Sequence, residues 1–432
     1  MSSDWPLKYL EQIADEVTVG YVGPMASEYV ESGVPFLRSL NIEPFGVNTN
    51  DIKFITPEFH RRIKKSALRP GDVAIVRTGK PGTCAVIPDW LEDANCSDLV
   101  LVKCGREIRP RFLCYWVNSV ASHHISSHTV GAVQQHFNVG AAKIMKVAVP
   151  SLQAQDEVIA VLGGLDERIV LLRETNATLE AIAQALFKSW FVDFDPVRAK
   201  MEGRAPEGMD EATAALFPDG FEESELGLVP SGWRVGTLAD MSDLNPESWT
   251  AKNHPDRVAY IDLANAKDNE IASVTDFEFD KAPSRARRVL RSGDTIVGTV
   301  RPGNRSFAFI HEPASNLTAS TGFAVLRPSA LENTEFVYLA ATQACSIEHL
   351  AHVADGAAYP AVRPDVVSGL KSVVADGLIL KAFHAAAAPL LAKVSENQKQ
   401  AQTLATLRDT LLPRLISGQL RLPQAAAEDA LA

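Results

Sequence analysis

The chain reads as an α+β protein: two mixed α/β domains, each followed by a long helix, with the two helices pairing as an antiparallel coiled coil. Three observations predict this architecture. The chain carries one large internal repeat, each copy ends in a long segment with apolar residues spaced three and four apart, and each copy holds short apolar runs behind a Gly-Asp turn.

The repeat sets the domain count. Leu68-Arg69-Pro70-Gly71-Asp72 runs ahead of the stretch from Val76 to Gly82, as Leu290-Arg291-Ser292-Gly293-Asp294 runs ahead of Gly298 to Gly303, with an offset of 222 between Gly71 and Gly293. Val34-Pro35-Phe36-Leu37 aligns with Val258-Ala259-Tyr260-Ile261 at 224, Gly131 to Pro150 aligns with Gly356 to Ala375 at 225, and Trp5 falls opposite Trp233. Small changes of offset mark short loop insertions. Val73 to Val76 and Thr295 to Val297 read as strands behind the Gly-Asp turn, Leu99 to Val102 and Phe323 to Leu326 as buried strands, while Phe112 to Ser122 and Glu335 to Ser346 carry helical spacing. The boundaries follow as 1–150 for the first mixed domain, 151–195 for the first long helix, 196–228 for an acidic linker, 229–375 for the second domain, 376–420 for the second helix and 421–432 for a tail.

Each long helix has a coiled-coil seam. Leu162, Leu165, Ile169, Leu172, Asn176, Leu179, Ala183, Leu186 and Trp190 alternate steps of three and four; Ala387, Leu390, Val394, Asn397, Ala401, Leu404, Arg408, Leu411 and Leu415 do the same. The polar members weaken each seam and fix its register. A helix from Leu152 to Trp190 would run roughly 57 Å at about 1.5 Å per residue, with Gly163-Gly164 as a place to bend. Antiparallel pairing would put the domains at opposite ends; packing of each helix along its own domain is the alternative.

Composition narrows the function. The 432 residues are ordinary for globular chains at 46% hydrophobic and 22% charged, no run of eighteen apolar residues appears, and the start MSSDWPLKYLEQ lacks the order of a signal peptide, so the expected address is the cytoplasm without membrane contact. Cys84, Cys96, Cys104, Cys114 and Cys345 form no CxxC pair and read as reduced thiols. His123, His124 and His128 have no acidic or cysteine partner at ligand spacing, so no metal is expected. A net charge of −11 argues against a nucleic-acid binder, but Glu202 to Glu225 holds eight acids against Arg204 alone, which makes much of the acidity a linker property. Basic residues gather elsewhere, as Arg61, Arg62, Lys64, Lys65, Arg69 and as Arg285, Arg287, Arg288, Arg291, Arg301, Arg305; either cluster also fits a solvated face.

The order of domain, helix, domain, helix, the segment Ala185-Leu186-Phe187-Lys188-Ser189-Trp190-Phe191-Val192-Asp193-Phe194, and the ending Leu411-Leu412-Pro413-Arg414-Leu415-Ile416-Ser417-Gly418-Gln419-Leu420 resemble the specificity subunits of type I restriction-modification enzymes over nearly the whole chain. The resemblance implies a subunit that binds two copies of an adenine-N6 DNA methyltransferase through its helices and, with motor-nuclease subunits, directs restriction. Each mixed domain would be a target-recognition domain reading one half of a split, asymmetric site in double-stranded DNA. In the family a strand ending in proline enters the first helix, as Val147-Ala148-Val149-Pro150 does here, whereas the second copy has Ala375.

Reading a base edge takes side chains with two hydrogen-bonding atoms. Gln134, Gln135 and Asn138 cluster after Gly131, and the aligned positions Tyr359, Pro360 and Arg363 differ in chemistry, so the two domains should prefer different bases. A turn leading into a strand is the other reading of this segment. Arg77 and Lys80 in one copy, Arg301 and Arg305 in the other, flank the glycine-rich stretch, where the backbone can approach a phosphate; a tight hairpin with exposed charges fits equally. Leu165, Ile169, Leu172, Leu179 and Leu186, with Leu390, Val394, Leu404 and Leu411, are the seam expected to hold the partner helix. Gly79-Lys80 is followed by Pro81, so no nucleotide loop forms, and neither an HExxH nor an amino-methyltransferase tetrad is present. Neither catalysis nor a cofactor is expected, a self-contained nuclease or methyltransferase being the remote alternative. A helical scaffold that bridges partners without reading DNA stays open.

Overall fold

The computed structural model describes residues 5–127, 137–225, 227–356 and 359–422. The chain divides into two compact units, one of Met1–Val170 with Gln402–Ala432 and one of Leu171–Ala401.

The first unit has two main sheets built from β1 (Ala14–Val19), β2 (Val34–Leu37), β3 (Lys53–Ile55), β4 (Ala67–Leu68), β5 (Val73–Val76), β6 (Cys84–Val86), β7 (Ala94–Cys96) and β8 (Leu99–Cys104). The orders are β6-β5-β8-β1, all antiparallel, and β3-β2-β7-β4, extended at the β3 edge by Tyr29–Val30. The second unit uses β9 (Ser242–Leu244), β10 (Arg257–Ile261), β11 (Thr275–Glu278), β12 (Ala286–Val289), β13 (Thr295–Gly298), β14 (Phe307–Phe309), β15 (Leu317–Ser320) and β16 (Phe323–Pro328). Their orders are β14-β13-β16-β9 and β11-β10-β15-β12, so each strand has its counterpart eight numbers on. Even the parallel pair recurs, as β2 beside β7 and β10 beside β15.

Why β5 is an unbroken apolar run follows from its two faces. Successive side chains on a strand point to opposite sides. Val73 and Ile75 enter one core with Phe112 and Leu113, while Ala74 and Val76 enter another with Leu99 and Leu101. In the second unit Ile296 packs with Phe323 and Val325, and Val297 with Ala324, Leu326 and Phe336. A strand buried on both faces reads as continuous rather than alternating hydrophobicity.

The first long helix runs without interruption over Leu152–Phe191, and the second over Gly377–Ile416. Gly163-Gly164 does not end the first one. A Cβ on Gly163 would stand 3.1 Å from the Arg111 guanidinium, so this glycine opens the helix surface to an arginine of the helix Pro110–Ser119, which pairs with Glu167 at 2.9 Å. The strands ahead of the helices match: Lys146–Ala148 pairs with Leu7–Tyr9, and Lys371–Val374 with Arg234–Thr237. After Pro150 the Ser151 hydroxyl accepts from Ala154 N at 3.2 Å, and after Ala375 the Asp376 carboxylate accepts from Leu378 N at 2.8 Å, so a polar side chain caps the start of each helix, with the proline or without it.

Within the second unit, Asn176 meets Asn397 while Trp190 and Phe191 meet Phe383 at 5.6 and 4.9 Å, so the two helix segments run antiparallel there. Ile169 and Leu172 are buried in the first helix, Val394 in the second, and Leu165, Leu179, Leu186 and Leu404 are half-buried. Leu390 and Leu411 are also half-buried; their neighbours Leu391 and Leu412 take the deeper places. The Asn176 amide donates to Val394 O at 3.1 Å and accepts from the Asn397 amide at 2.9 Å, with both side chains buried. In the first unit, half-buried Asp166 accepts from Arg408 at 2.9 Å and from the Tyr115 hydroxyl at 2.5 Å.

The segment 196–228, expected as a linker, is folded. It carries helices Asp195–Met201 and Glu211–Leu216 and most of a hairpin of Phe221–Ser224 with Gly227–Pro230, and it gives Val197 and Phe217 to the second unit's core. Among the described residues, the second long helix is the one long and apolar enough to cross a membrane by length and composition. Much of its apolarity is alanine, and Ile379, Leu380, Phe383, Ala387 and Leu391 are spent on the second unit's core.

Two outcomes follow. Replacing Asn397 alone by Leu leaves the buried Asn176 Oδ1 without its donor and is expected to cost about 1–3 kcal/mol in urea unfolding, while Asn176→Leu combined with Asn397→Leu recovers most of that loss. Glu335 is buried against His384 at 2.5 Å, and burial pushes its carboxyl above the usual range, the His384 bond offsetting this in part. A raised folded value means that the folded state holds the proton more tightly, so the cost to stability appears as pH rises through the unfolded carboxyl range. Glu335→Gln is therefore expected to stabilise the protein at neutral pH in thermal melts and to have little effect below about pH 4.

Candidate nucleic-acid interface

Each Gly-Asp turn leads into a buried strand, β5 in the first unit and β13 in the second. Gly71 and Gly293 take φ values of 84° and 87°, and Asp72 and Asp294 accept from the N–H of Arg69 and Arg291 at 2.8 and 2.7 Å. Burial pushes both carboxyls up.

In the first unit β5 leads into a loop closed on itself, with Gly82 N donating to Val76 O at 3.0 Å and Val76 N to Thr83 O at 2.8 Å. Lys80 stands exposed at its tip. Gly82, at φ 92°, lies so close to the helix Ser122–Ser127 that a Cβ would come 2.6 Å from Ile125. Arg77 turns inward instead: its Nε donates to Phe137 O at 3.3 Å, its guanidinium lies 3.9 Å from Asp98, and 19% of its side chain is exposed. Phe137 N donates back to Arg77 O at 3.0 Å, so the loop and the segment carrying Asn138 are brought together. Asn138 caps the helix Val139–Lys143, its side-chain oxygen accepting from Ala141 N at 2.9 Å. Gln134 and Gln135 lie outside the described residues.

The second unit repeats the pairing with different side chains. Val362 N donates to Thr299 O at 2.9 Å and Arg301 N to Pro360 O at 2.7 Å, which joins the loop Thr299–Ser306 to the segment from Tyr359 to Arg363. Thr299 thus stands where Arg77 does, and Arg301 stands where Gly79 does. Gly79 and Gly82 take φ values of 87° and 92° in the first loop; Arg301 and Arg305 take 49° and 59° in the second. The Arg301 guanidinium sits 4.8 Å from the centre of the Tyr359 ring, which is 72% exposed. Arg305 pairs with Asp268 and covers Phe307, and exposed Arg363 pairs with Asp365 at 2.9 Å at the N-terminal end of the helix Pro364–Ser368.

The basic clusters divide in the same way. Arg285, Arg291 and Arg327 are committed to Asp262, Glu247 and Asp294, the last wholly buried, so they serve the fold. Arg62 pairs with Glu28 and Arg69 with Asp93, whereas Arg61, Lys64 and Lys65 are exposed. No group of three metal-ligating side chains forms among the described residues; His124 Nε2 donates to Ala141 O at 2.8 Å, His128 lies outside the described residues and the His123 side chain is not described. Cys84, Cys96 and Cys114 are buried free thiols. The pairing of each glycine loop with a segment some sixty residues on had no signal in the sequence.

With this geometry in place, known proteins can be compared. No family model matches the chain. It is 22% identical over 443 residues to a Methanocaldococcus jannaschii protein named type I restriction enzyme MjaIX specificity subunit, covering 98% of this chain and 94% of that one. It is 24% identical to the Haemophilus influenzae type I restriction enzyme HindI specificity subunit, over 64% of this chain and 69% of that one. Its fold matches the crystal structure of a type I restriction-modification S subunit from M. genitalium with a TM-score of 0.56 at 12% identity, covering 96% of each chain. The chain therefore resembles type I specificity subunits in sequence and shares the fold of one.

The cap that Asn138 makes can be tested by itself. Asn138→Ala is expected to lower stability by about 1 kcal/mol in thermal unfolding, and Asn138→Asp, which keeps the cap, to stay within about 0.5 kcal/mol of the parent.

Proposed function

We propose that this chain is the DNA-reading, non-catalytic subunit of a type I restriction-modification complex. Each unit reads one half of a split, asymmetric target in double-stranded DNA. The long helices hold the unread spacer and seat two adenine-N6 methyltransferase subunits, to which motor-nuclease subunits add restriction. The observation that carries this reading is duplication with divergence: the strand orders of the two units coincide, while the side chains on the paired loop and segment do not. A common scaffold with two different surfaces suits a target whose halves differ. The names of the two relatives point the same way. A scaffold that only bridges proteins accounts for the helices but assigns nothing to an exposed tyrosine beneath an arginine.

The helices give the test. Forty residues correspond to about 60 Å at about 1.5 Å per residue, and four added residues to about 6 Å. Insertion of four residues after Asn176 and four before Asn397, so that the added turns face each other, is expected to leave both half-targets unchanged and to lengthen the spacer between them. Methylation mapping in cells carrying the variant with its methyltransferase reads this directly; an unchanged spacing defeats the strut. Lys80→Ala is expected to weaken binding to all sequences alike and to lower the salt dependence by about one phosphate contact, measured by titration at several salt concentrations.

A further inference from the structure

We propose that Arg287 and Arg288, on the strand β12, hold a backbone phosphate of double-stranded DNA beside the glycine loop of the second unit. The inference rests on the DNA-reading function proposed above and adds to it a contact that positions the duplex without reading its sequence.

Five arginines of this unit, Arg257, Arg285, Arg291, Arg305 and Arg327, each meet a carboxylate. Arg287 and Arg288 are half-buried, yet neither forms an ion pair among the described residues. Arg287 is the extra residue of a bulge, since Ala286 faces Ser320 and Arg288 faces Ala319 on β15. A bulge takes a side chain out of the alternation of its strand. The Arg287 guanidinium lies 4.7 Å from the centre of the Phe279 ring, on which His254 is stacked at 3.8 Å. Arg288 Nη1 donates to Ser248 Oγ at 3.2 Å, and its Nε is buried without a hydrogen-bond partner among the described residues; burial alone holds this guanidinium below its usual range. Two neighbouring, partly desolvated cations without a counter-charge cost stability, and an anion relieves that cost.

Backbone bonds place the pair next to the glycine loop. Thr321 N donates to Arg285 O and Thr299 N to Gly322 O, both at 2.8 Å, so the start of β12 and the loop meet through the turn between β15 and β16. Ser248 bridges Arg288, and Trp249 N donates to Arg287 O at 2.8 Å, which lays the segment leading to exposed Lys252 along the same strand. In the first unit the offset of 222 puts exposed Lys65 opposite Arg287. Positive charge recurs at this place while the residue changes. A phosphate asks for charge, whereas a base edge dictates the side chain that reads it.

The test is binding of the full chain, assembled with methyltransferase subunits, to a duplex carrying the methylation-mapped target and to a scrambled one, over a series of salt concentrations. Arg287→Gln combined with Arg288→Met is expected to weaken binding to both duplexes alike. The slope of log K against log salt becomes shallower by about 0.9 for the phosphate lost, and the methylated sequence stays the same. Arg287→Lys, with Arg288 kept, is expected to hold the parent slope. Melting without DNA separates binding from a structural role: the double variant is expected to melt no lower than the parent, because it removes two uncompensated charges. An unchanged slope in the double variant overturns the phosphate contact, as does a fall in melting temperature that accompanies the lost binding, or a changed preference at one base position. Stabilisation of the parent by inorganic phosphate, with the slope of the double variant unchanged, assigns the pair to a free anion and overturns the DNA contact. A parent complex that binds target and scrambled duplex equally overturns the DNA-reading function itself.

Discussion

The buried amide pair of Asn176 and Asn397 is the constraint on which the second unit depends. The helix segments there meet through alanine and small polar residues as much as through leucine, and such seams slide easily. An amide pair sealed from solvent does not, because any other register would leave its donors and acceptors unsatisfied. The rest of the unit is attached to the helix pair so fixed. Glu180 accepts from the Asn269 amide at 2.6 Å, Gln398 donates to Asn269 O at 2.7 Å, and Glu335 meets His384. Sheets, hairpin and helices therefore take their places from one another through polar contacts, and the aromatic cluster of Phe187, Trp190, Phe191, Phe336 and Phe383 fills the space between.

The first unit solves the same problem with charge. Arg408 bridges Asp166 and Asp409, lies 4.8 Å over Phe45 at a hairpin tip, and shares Asp166 with Tyr115. Phe45 stands where Asn269 stands in the second unit: each is a left-handed tip residue resting on the strand behind the glycine loop, Phe45 N on Cys84 O and Asn269 N on Phe307 O. One position in the repeat thus carries an aromatic contact in one unit and an amide network in the other. Attachment is shared as a geometry, and its chemistry has diverged as far as that of the proposed reading surfaces.

Much of this was legible because it is local. Val73 to Val76 and Thr295 to Val297 announce themselves as strands through apolar runs behind a turn, and the helix seams through their spacing. What stayed hidden depends on residues distant in sequence. That Asn138 caps a helix was not legible, because the role is decided by where the short helix begins. That Gly163 gives clearance to Arg111 depends on a helix some fifty residues earlier in the chain. The acidic stretch 196–228 looked like a linker because its buried residues, Val197, Ala199 and Phe217 among them, are too few to form a periodic pattern. The position of Arg301 opposite Gly79 needed the backbone angles, since the two loops differ in length by the time the next strand begins.

The first unit is discontinuous: its core joins Val158 and Leu162 to Leu412, Leu415 and Ile416, and Gly418, at φ 79°, lies flat beneath Trp5 with Arg421 on the ring. The second unit is one unbroken stretch of chain. On the ribosome, where domains fold as they emerge, this inverts the usual order. The second unit has all its residues before the first has its full core, and the domain made earliest must wait, with apolar surface uncovered, while the 231 residues from Leu171 to Ala401 are added. Closing so long a loop adds little to the entropic cost at equilibrium, since that cost grows only with the logarithm of length, but it lays the nascent first domain open to chaperones and proteases throughout synthesis.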